Sequence, residues 1–229
     1  MLTAQDLAGL PLLAGAEPAA LEPIRLHGHV AEFGAGALLA DFDDPGRQVY
    51  FIVRGAVRVV LRTPGGREVI FRDQEEGSFV GELAAIDGAP RSAALTALRP
   101  TRVVVVPPEP FLEAVTRAPI VCRRLLALLA ARLRDLSLRM SELSLMTTGQ
   151  RVAALLLRDA PARAGSDMLV ISPPPQQHIL AARIGARRES VSREIAGFER
   201  AGIVALERGA LVIRDAKRLA AIAEAERDG

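Results

Sequence analysis

Between residues 77 and 93 the sequence GSFVGELAAIDGAPRSA sets Glu82, Arg91 and Ser92 close together, with the arginine nine residues after the glutamate and the serine directly after it. A guanidinium presents a planar fork of donors to phosphate oxygens, and a neighbouring hydroxyl adds another. Backbone amides freed in the turn after Gly81 add more. An ionised carboxylate only accepts, so Glu82 suits a sugar hydroxyl. Gly77, Gly81 and Gly88 let the backbone bend where a side chain would obstruct a ligand. Together these groups fit a small phosphorylated sugar. The competing reading is a solvated Glu–Arg pair beside a hairpin.

Rigid elements must hold such groups in place. From about Val30 to Pro107 the chain reads as short β-branched runs, ALLADF, QVYFIV, AVRVVLR, EVIFR, SFVGEL, AALTAL and RVVVVP, separated by glycine and proline turns. This predicts an antiparallel β-roll or jelly roll. The segment GAVRVVLRTPGGREVIF is its clearest hairpin. Short helices are expected over residues 1–30, with Thr3 and Asp6 near the first of them, and His27 and His29 are expected to alternate on a strand or loop.

After Pro107-Pro108 the period changes, and residues from Pro119 to about Thr147 read as one long helix. Cys122, Leu126, Leu129, Leu133, Leu136, Met140 and Leu143 recur at spacings of 4, 3, 4, 3, 4 and 3, a heptad seam. Leu125 and Leu128 form a second stripe that can pack on the roll. The seam is then free for a second copy of the chain in a two-fold homodimer, unless it is buried within the chain.

Thr148 is expected to cap the next helix, with Val152, Leu155 and Leu156 on its apolar face. Residues 176–184, Gly185 and residues 187–201 then read as helix, turn and helix. The second helix sets Val191, Ile195 and Phe198 on one face and Arg188, Glu189, Ser192, Arg193 and Arg200 on the other, the side-chain types that read base edges and phosphates. Two short strands around Arg208-Gly209 follow, as in a wing. The fold class expected is α+β, with double-stranded DNA as partner.

Composition narrows the alternatives. The 229 residues are 50% hydrophobic with a formal charge of +2. Residues 150–229 carry 13 Lys and Arg against 10 Asp and Glu, while the rest carries 16 against 17. A mildly basic C-terminal part agrees with nucleic acid. The single cysteine, Cys122, excludes a disulfide framework and a cluster held by about four thiolates, and it favours a reducing compartment. The three histidines, His27, His29 and His178, fit ordinary packing or surface roles. No histidine–aspartate metal cluster, Walker-type loop or nucleophile beside a base is evident, which disfavours an enzyme and a metal site. No basic leader or bilayer-length apolar run occurs, so a cytoplasmic protein without membrane attachment is expected.

The stretch FVGELAAIDGAPRSA resembles the phosphate-binding cassette of cyclic-nucleotide-binding domains in the CRP/FNR family of bacterial transcription regulators, and IGARRESVSREIAGFERAGIV resembles that family's recognition region. The resemblance implies a cyclic-nucleotide-binding roll with N-terminal helices over 1–118, a dimerisation helix over 119–146 and a winged helix-turn-helix domain over 147–229. It implies ligand contacts from Gly81, Glu82, Leu83, Ala84, Arg91 and Ser92, with Glu82 on the ribose 2′-hydroxyl and Arg91 and Ser92 on the cyclic phosphate. Leu136 and Ser137 fall where the cyclic-AMP receptor offers threonine and serine to adenine, so half of that pair is missing. The effector implied is cyclic AMP, then cyclic GMP.

DNA contacts are implied for Gln177, Arg187, Arg188, Glu189, Ser192, Arg193 and Arg208 on a palindromic operator with a TGTGA-like or TTGA-like half-site. RNA polymerase is a further implied partner. Arg187 stands at the expected N-cap of the recognition helix, where Ser or Thr is usual. Two alternatives stay open: a member that binds DNA constitutively or answers another ligand, and, ranked below it, a nucleotide-processing enzyme.

Overall fold

The computed structural model describes residues 2, 7, 9–62, 68–160 and 169–225. The chain divides into two compact units, Met1–Leu133 and Arg134–Gly229.

Among the described residues the first unit contains helix α1 (Pro18–His27), followed by strands β1 (His29–Phe33), β2 (Leu38–Ala40), β3 (Val49–Arg54), β4 (Ala56–Arg62), β5 (Glu68–Glu75) and β6 (Phe79–Val80). A one-and-a-half-turn helix α2 (Glu82–Asp87), strands β7 (Ala94–Ala97) and β8 (Thr101–Val106), helix α3 (Pro108–Arg117) and the start of the long helix α4 (Pro119–Leu145) complete it. The strands form two antiparallel sheets, ordered β1-β8-β3-β6 and β2-β7-β4-β5. The expected hairpin is the β4–β5 pair, with Ala56 opposite Glu75 and Arg62 opposite Glu68. Its Pro64-Gly65-Gly66 turn lies outside the described residues, as do Thr3 and Asp6.

Period-two alternation explains how one sheet serves two cores. Tyr50, Ile52, Val103 and Val105 join Leu39, Val57, Val80 and Leu95 inside the roll. Their neighbours Val49, Phe51, Val104 and Val106 turn the other way, against Ile24, Phe111, Ala114, Val121 and Leu125 of the helices. This is why RVVVVP is valine throughout: β8 is buried on both faces.

Local structure departs from expectation in four places. Only Phe79–Val80 of SFVGEL are extended, because Gly81 at φ +89 turns the chain and Glu82 opens α2. His27 ends α1 and His29 opens β1, so the two histidines share no strand or loop; Gly28 separates them. Thr147 rather than Thr148 caps the following helix, since only Thr147 has extended backbone and a side chain within reach of the Gln150 amide.

The fourth departure concerns the seam. Cys122 and Leu129 are half-buried against the roll's helical core together with Leu128, because the stripe facing the roll adjoins the seam and the first turns of α4 lie in it. Leu126, Leu133, Leu136, Met140 and Leu143 stay 42–72% exposed.

The second unit takes the rest of α4, then α5 (Thr148–Asp159), β9 (Leu169–Ile171), α6 (Gln177–Ile184), α7 (Arg188–Arg200), β10 (Val204–Glu207), β11 (Ala210–Ile213) and α8 (Ala216–Glu224). Thr147 and Gln150 form a capping box: the Gln150 amide donates to Thr147 Oγ1 at 3.3 Å and the Thr147 amide donates to Gln150 Oε1 at 2.7 Å. One core gathers Val152, Leu156, Leu180, Val191, Phe198 and Leu219. The strands pair in the order β10-β11-β9. Arg208 at φ +48 and Gly209 at φ +75 form the two-residue turn of the β10–β11 hairpin, the two positive φ angles that a type I′ turn requires.

Candidate functional site

The cassette is built where β6 ends. Gly81 turns the chain into α2, Gly88 at φ +73 ends that helix, and the chain returns through Arg91 toward β7. A two-sided backbone clamp fixes Arg91: the Asp43 amide donates to the Arg91 carbonyl, and the Arg91 amide donates to the Asp44 carbonyl, each at 2.9 Å. Asp43 adopts φ +65, a conformation that Asp tolerates better than most residues.

Glu82 and Arg91 are only 4% and 3% exposed, an unusual depth for charged side chains. Arg91 Nη1 donates to the Gly81 carbonyl at 3.0 Å, and Nη2 donates to the Gln48 carbonyl at 2.6 Å with the Gln48 side-chain oxygen at 3.5 Å. The guanidinium carbon lies 5.4 Å from the centre of the Tyr50 ring. Arg91 Nε is buried and has no partner. Burial draws the Arg91 pKa below its ordinary value, opposed by the nearby Tyr50, Asp44 and Glu82. An orphaned donor on a buried cation fits an anionic ligand.

Glu82 is held from the long helix. Arg132 Nη1 donates to Glu82 Oε1, Arg132 Nη2 donates to the Phe79 carbonyl at 3.4 Å, and the Arg132 guanidinium carbon stands 5.4 Å from the Phe79 ring centre. Glu82 Oε2 holds no hydrogen bond among the described residues and is left as a free acceptor. The other expected ligand residues differ in setting. Ser92 is exposed, Leu83 is 46% exposed and Ala84 is buried. Leu136 and Ser137 are exposed on α4 within the second unit.

Gln48, Tyr50 and Arg132 are the site residues that sequence reasoning missed. Gln48 and Tyr50 read as ordinary strand residues. Arg132 flanks the heptad seam, where charges are normal, and nothing in the sequence separates it from Arg134 or Arg139.

In the second unit α7 buries Val191, Ile195 and Phe198. Arg187, Arg188, Glu189 and Arg193 are exposed, as is Arg208 in the hairpin turn, while Ser192 and Gln177 are half-buried. Arg187 is indeed the N-cap of α7 and makes no side-chain capping bond.

The unit's arginines differ in how they are held. Arg158 pairs with Glu142, Arg183 with Asp159 and Arg214 with Glu207. Among the described residues Arg187, Arg188, Arg193 and Arg208 hold no ion pair or side-chain hydrogen bond. Glu189 and Arg193 sit at i and i+4, a favourable spacing for pairing, yet also stand apart. Free donors on an exposed helix face are what a phosphate backbone and guanine edges require.

The turn between α6 and α7 is fixed from outside. Gly185 at φ +64 makes it, and Arg151 Nη1 donates to the Ile184 carbonyl at 2.7 Å, satisfying an orphan acceptor at the end of α6.

The chain thus combines a two-sheet roll that carries a buried arginine–glutamate cassette with a winged helix-turn-helix unit. Residues 30–118 match the model for the cyclic nucleotide-binding domain, and residues 150–222 match that for the Crp-like helix-turn-helix domain. The chain is 29% identical over 217 residues to the CRP-like cAMP-activated global transcriptional regulator of Mycobacterium tuberculosis, covering 93% of this chain and 96% of that one. It is 33% identical over 180 residues to the cyclic AMP receptor protein of Thermus thermophilus, covering 79% and 81%. The crystal structure of the Thermus thermophilus catabolite activator protein superposes with a TM-score of 0.53 at 31% identity, over 93% of this chain and 98% of that one. The chain belongs to the CRP/FNR family of transcription regulators.

Proposed function

We propose that this regulator is a homodimer whose affinity for a palindromic operator is set by a cyclic nucleotide, cyclic AMP before cyclic GMP, bound in the roll. The observation that carries the reading is the pair of buried, oppositely charged groups in the cassette: Arg91 with a donor unspent and Glu82 with an acceptor unspent. Arg91 and Ser92 take the cyclic phosphate, Glu82 Oε2 takes the ribose hydroxyl, and Gly81, Leu83 and Ala84 line the turn. The relatives named as a cAMP-activated regulator and as a cyclic AMP receptor support the choice of nucleotide. Leu136 and Ser137 meet the base, with Leu136 withholding one hydroxyl from it.

The exposed leucines of α4 support the dimer, since Leu126, Leu133, Leu136, Met140 and Leu143 form a continuous apolar stripe. Cys122 and Leu129 border the stripe. The layout is a sensing segment over 1–118, a dimerisation helix over 119–146 and a DNA-binding segment over 147–229. Arg188, Glu189 and Arg193 read bases. Gln177, Arg187, Ser192 and Arg208 contact the backbone, and successive recognition helices enter grooves about 34 Å apart, as helix-turn-helix dimers do. The protein works in the cytoplasm with RNA polymerase and catalyses no reaction.

Calorimetry with cyclic AMP and cyclic GMP, followed by operator titration with and without the nucleotide that binds, tests this reading. By reciprocity, a nucleotide that tightens operator binding is itself bound more tightly with operator present. A second reading has its own support. Arg132 already neutralises Glu82, and two carbonyls already accept from Arg91, so the cassette is largely satisfied without a ligand. Equal operator affinity with and without nucleotide would favour that constitutive regulator.

A further inference from the structure

We infer that Tyr50 is a positioning residue for Arg91, a floor that fixes how the guanidinium is presented to the ligand's anionic group. The inference rests on the cyclic-nucleotide reading only for its ligand; the side-chain arrangement stands by itself.

Arg91 spends its donors in one direction. Nη1 reaches the Gly81 carbonyl and Nη2 reaches the Gln48 carbonyl, which ties the outer edge of the fork to the residue just before β3 and to the start of the cassette. Those two bonds leave the tilt of the plane about the fork's edge unset, and Nε has no partner to set it. The group that bounds the tilt is Tyr50, whose ring centre lies 5.4 Å from the guanidinium carbon, within cation–π range. Tyr50 is itself immobilised. It is 7% exposed, it sits near the start of β3 opposite Val80 and Val105, and its hydroxyl donates to the Leu39 carbonyl at 3.2 Å. The chain thus supplies the ring under the guanidinium from β3 and, two residues earlier and just before that strand, the carbonyl at its edge.

A ring face attracts a cation through its electron density, so position and electrostatics can be separated experimentally. In the full-length protein, cyclic-AMP affinity is compared for the native chain, Tyr50→Phe, Tyr50→Leu, and chains with a mono-, tri- or pentafluorinated phenylalanine at residue 50. Tyr50→Phe is expected to bind within about twofold of native. Tyr50→Leu is expected to bind about tenfold more weakly. Increasing fluorination, which drains the ring face while keeping its shape, is expected to weaken binding in steps.

The ligand-free protein gives an independent reading. The Arg91 Nε–H resonance, assigned by its loss in Arg91→Lys, should carry a ring-current shift that persists in Tyr50→Phe and vanishes in Tyr50→Leu. If no chain binds cyclic AMP, the cyclic-AMP reading falls and the resonance alone decides the role of Tyr50. An Nε–H shift unchanged in Tyr50→Leu, equal affinities across the fluorinated series, or a loss in Tyr50→Phe as large as in Tyr50→Leu would overturn the inference.

Discussion

Replacing Gly81 by alanine separates the cost of a left-handed turn from the cost of disturbing the cassette. Gly81 lies at φ +89, and a Cβ there would stand 2.5 Å from Arg91 Nη1 and 2.7 Å from the Gln48 carbonyl oxygen. Gly36, in the same unit, lies at φ +79 with nothing within 4 Å of its would-be Cβ. Both substitutions pay the left-handed penalty of about 1–2 kcal/mol. Only Gly81→Ala must also move a backbone carbonyl or expel a buried guanidinium from its bonds.

A lost hydrogen bond to a charged group is worth about 1.5–3 kcal/mol, so Gly81→Ala should cost about 3–5 kcal/mol in total. With a urea dependence of about 2 kcal/mol per molar, its unfolding midpoint should fall about 1 M or more below that of Gly36→Ala. Calorimetry should show nucleotide affinity reduced about a hundredfold in Gly81→Ala and unchanged in Gly36→Ala. Coincident midpoints, or native affinity in Gly81→Ala, would refute the link between this glycine and Arg91.

Other outcomes are expected. Arg132→Ala leaves the Glu82 carboxylate buried without its cation and should destabilise the roll by about 3–5 kcal/mol in denaturant melts, a loss largely recovered in Glu82→Gln/Arg132→Met. Leu133→Glu places a charge in the middle of the exposed α4 stripe, and sedimentation should show monomers where the native chain gives dimers. Arg188→Ala should weaken operator binding by about 1–3 kcal/mol and relax sequence preference at one base pair of each half-site, whereas loss of a phosphate-contacting arginine weakens all sequences alike. Thr147→Ala removes the capping box at α5 and should cost about 1 kcal/mol, while Thr148→Ala should cost less than half of that.

The main lines of the fold were legible because each rests on local pattern. Alternating apolar residues with glycine turns gave the roll, a heptad spacing gave α4, and helix-glycine-helix followed by Arg208-Gly209 gave the DNA-binding unit. The cassette's chemistry was legible because glycine, glutamate, arginine and serine lie close in sequence. Its supports were not. Arg132 reaches Glu82 across fifty residues, and Gln48 and Tyr50 meet Arg91 only because β3 pairs with β6. Such contacts come from sheet topology, which no window of sequence displays. The misread cap at Thr147 has a smaller cause: two adjacent threonines are equal candidates until the backbone dihedrals choose one. Cys122 and Leu129 were assigned wholly to the seam because a heptad pattern cannot show how wide a stripe the roll covers.

The chain contains one tyrosine and no tryptophan, and that tyrosine is the ring beneath Arg91. Its near-ultraviolet absorption and emission therefore originate almost entirely from a single point beside the cassette. Unfolding of the roll, or any event that lifts the guanidinium from the ring, changes this light, while the DNA-binding unit adds only the weak absorption of Phe198. The protein carries an intrinsic optical probe at the place where a ligand would arrive, and melts followed by emission and by far-ultraviolet dichroism will separate the two units without any label.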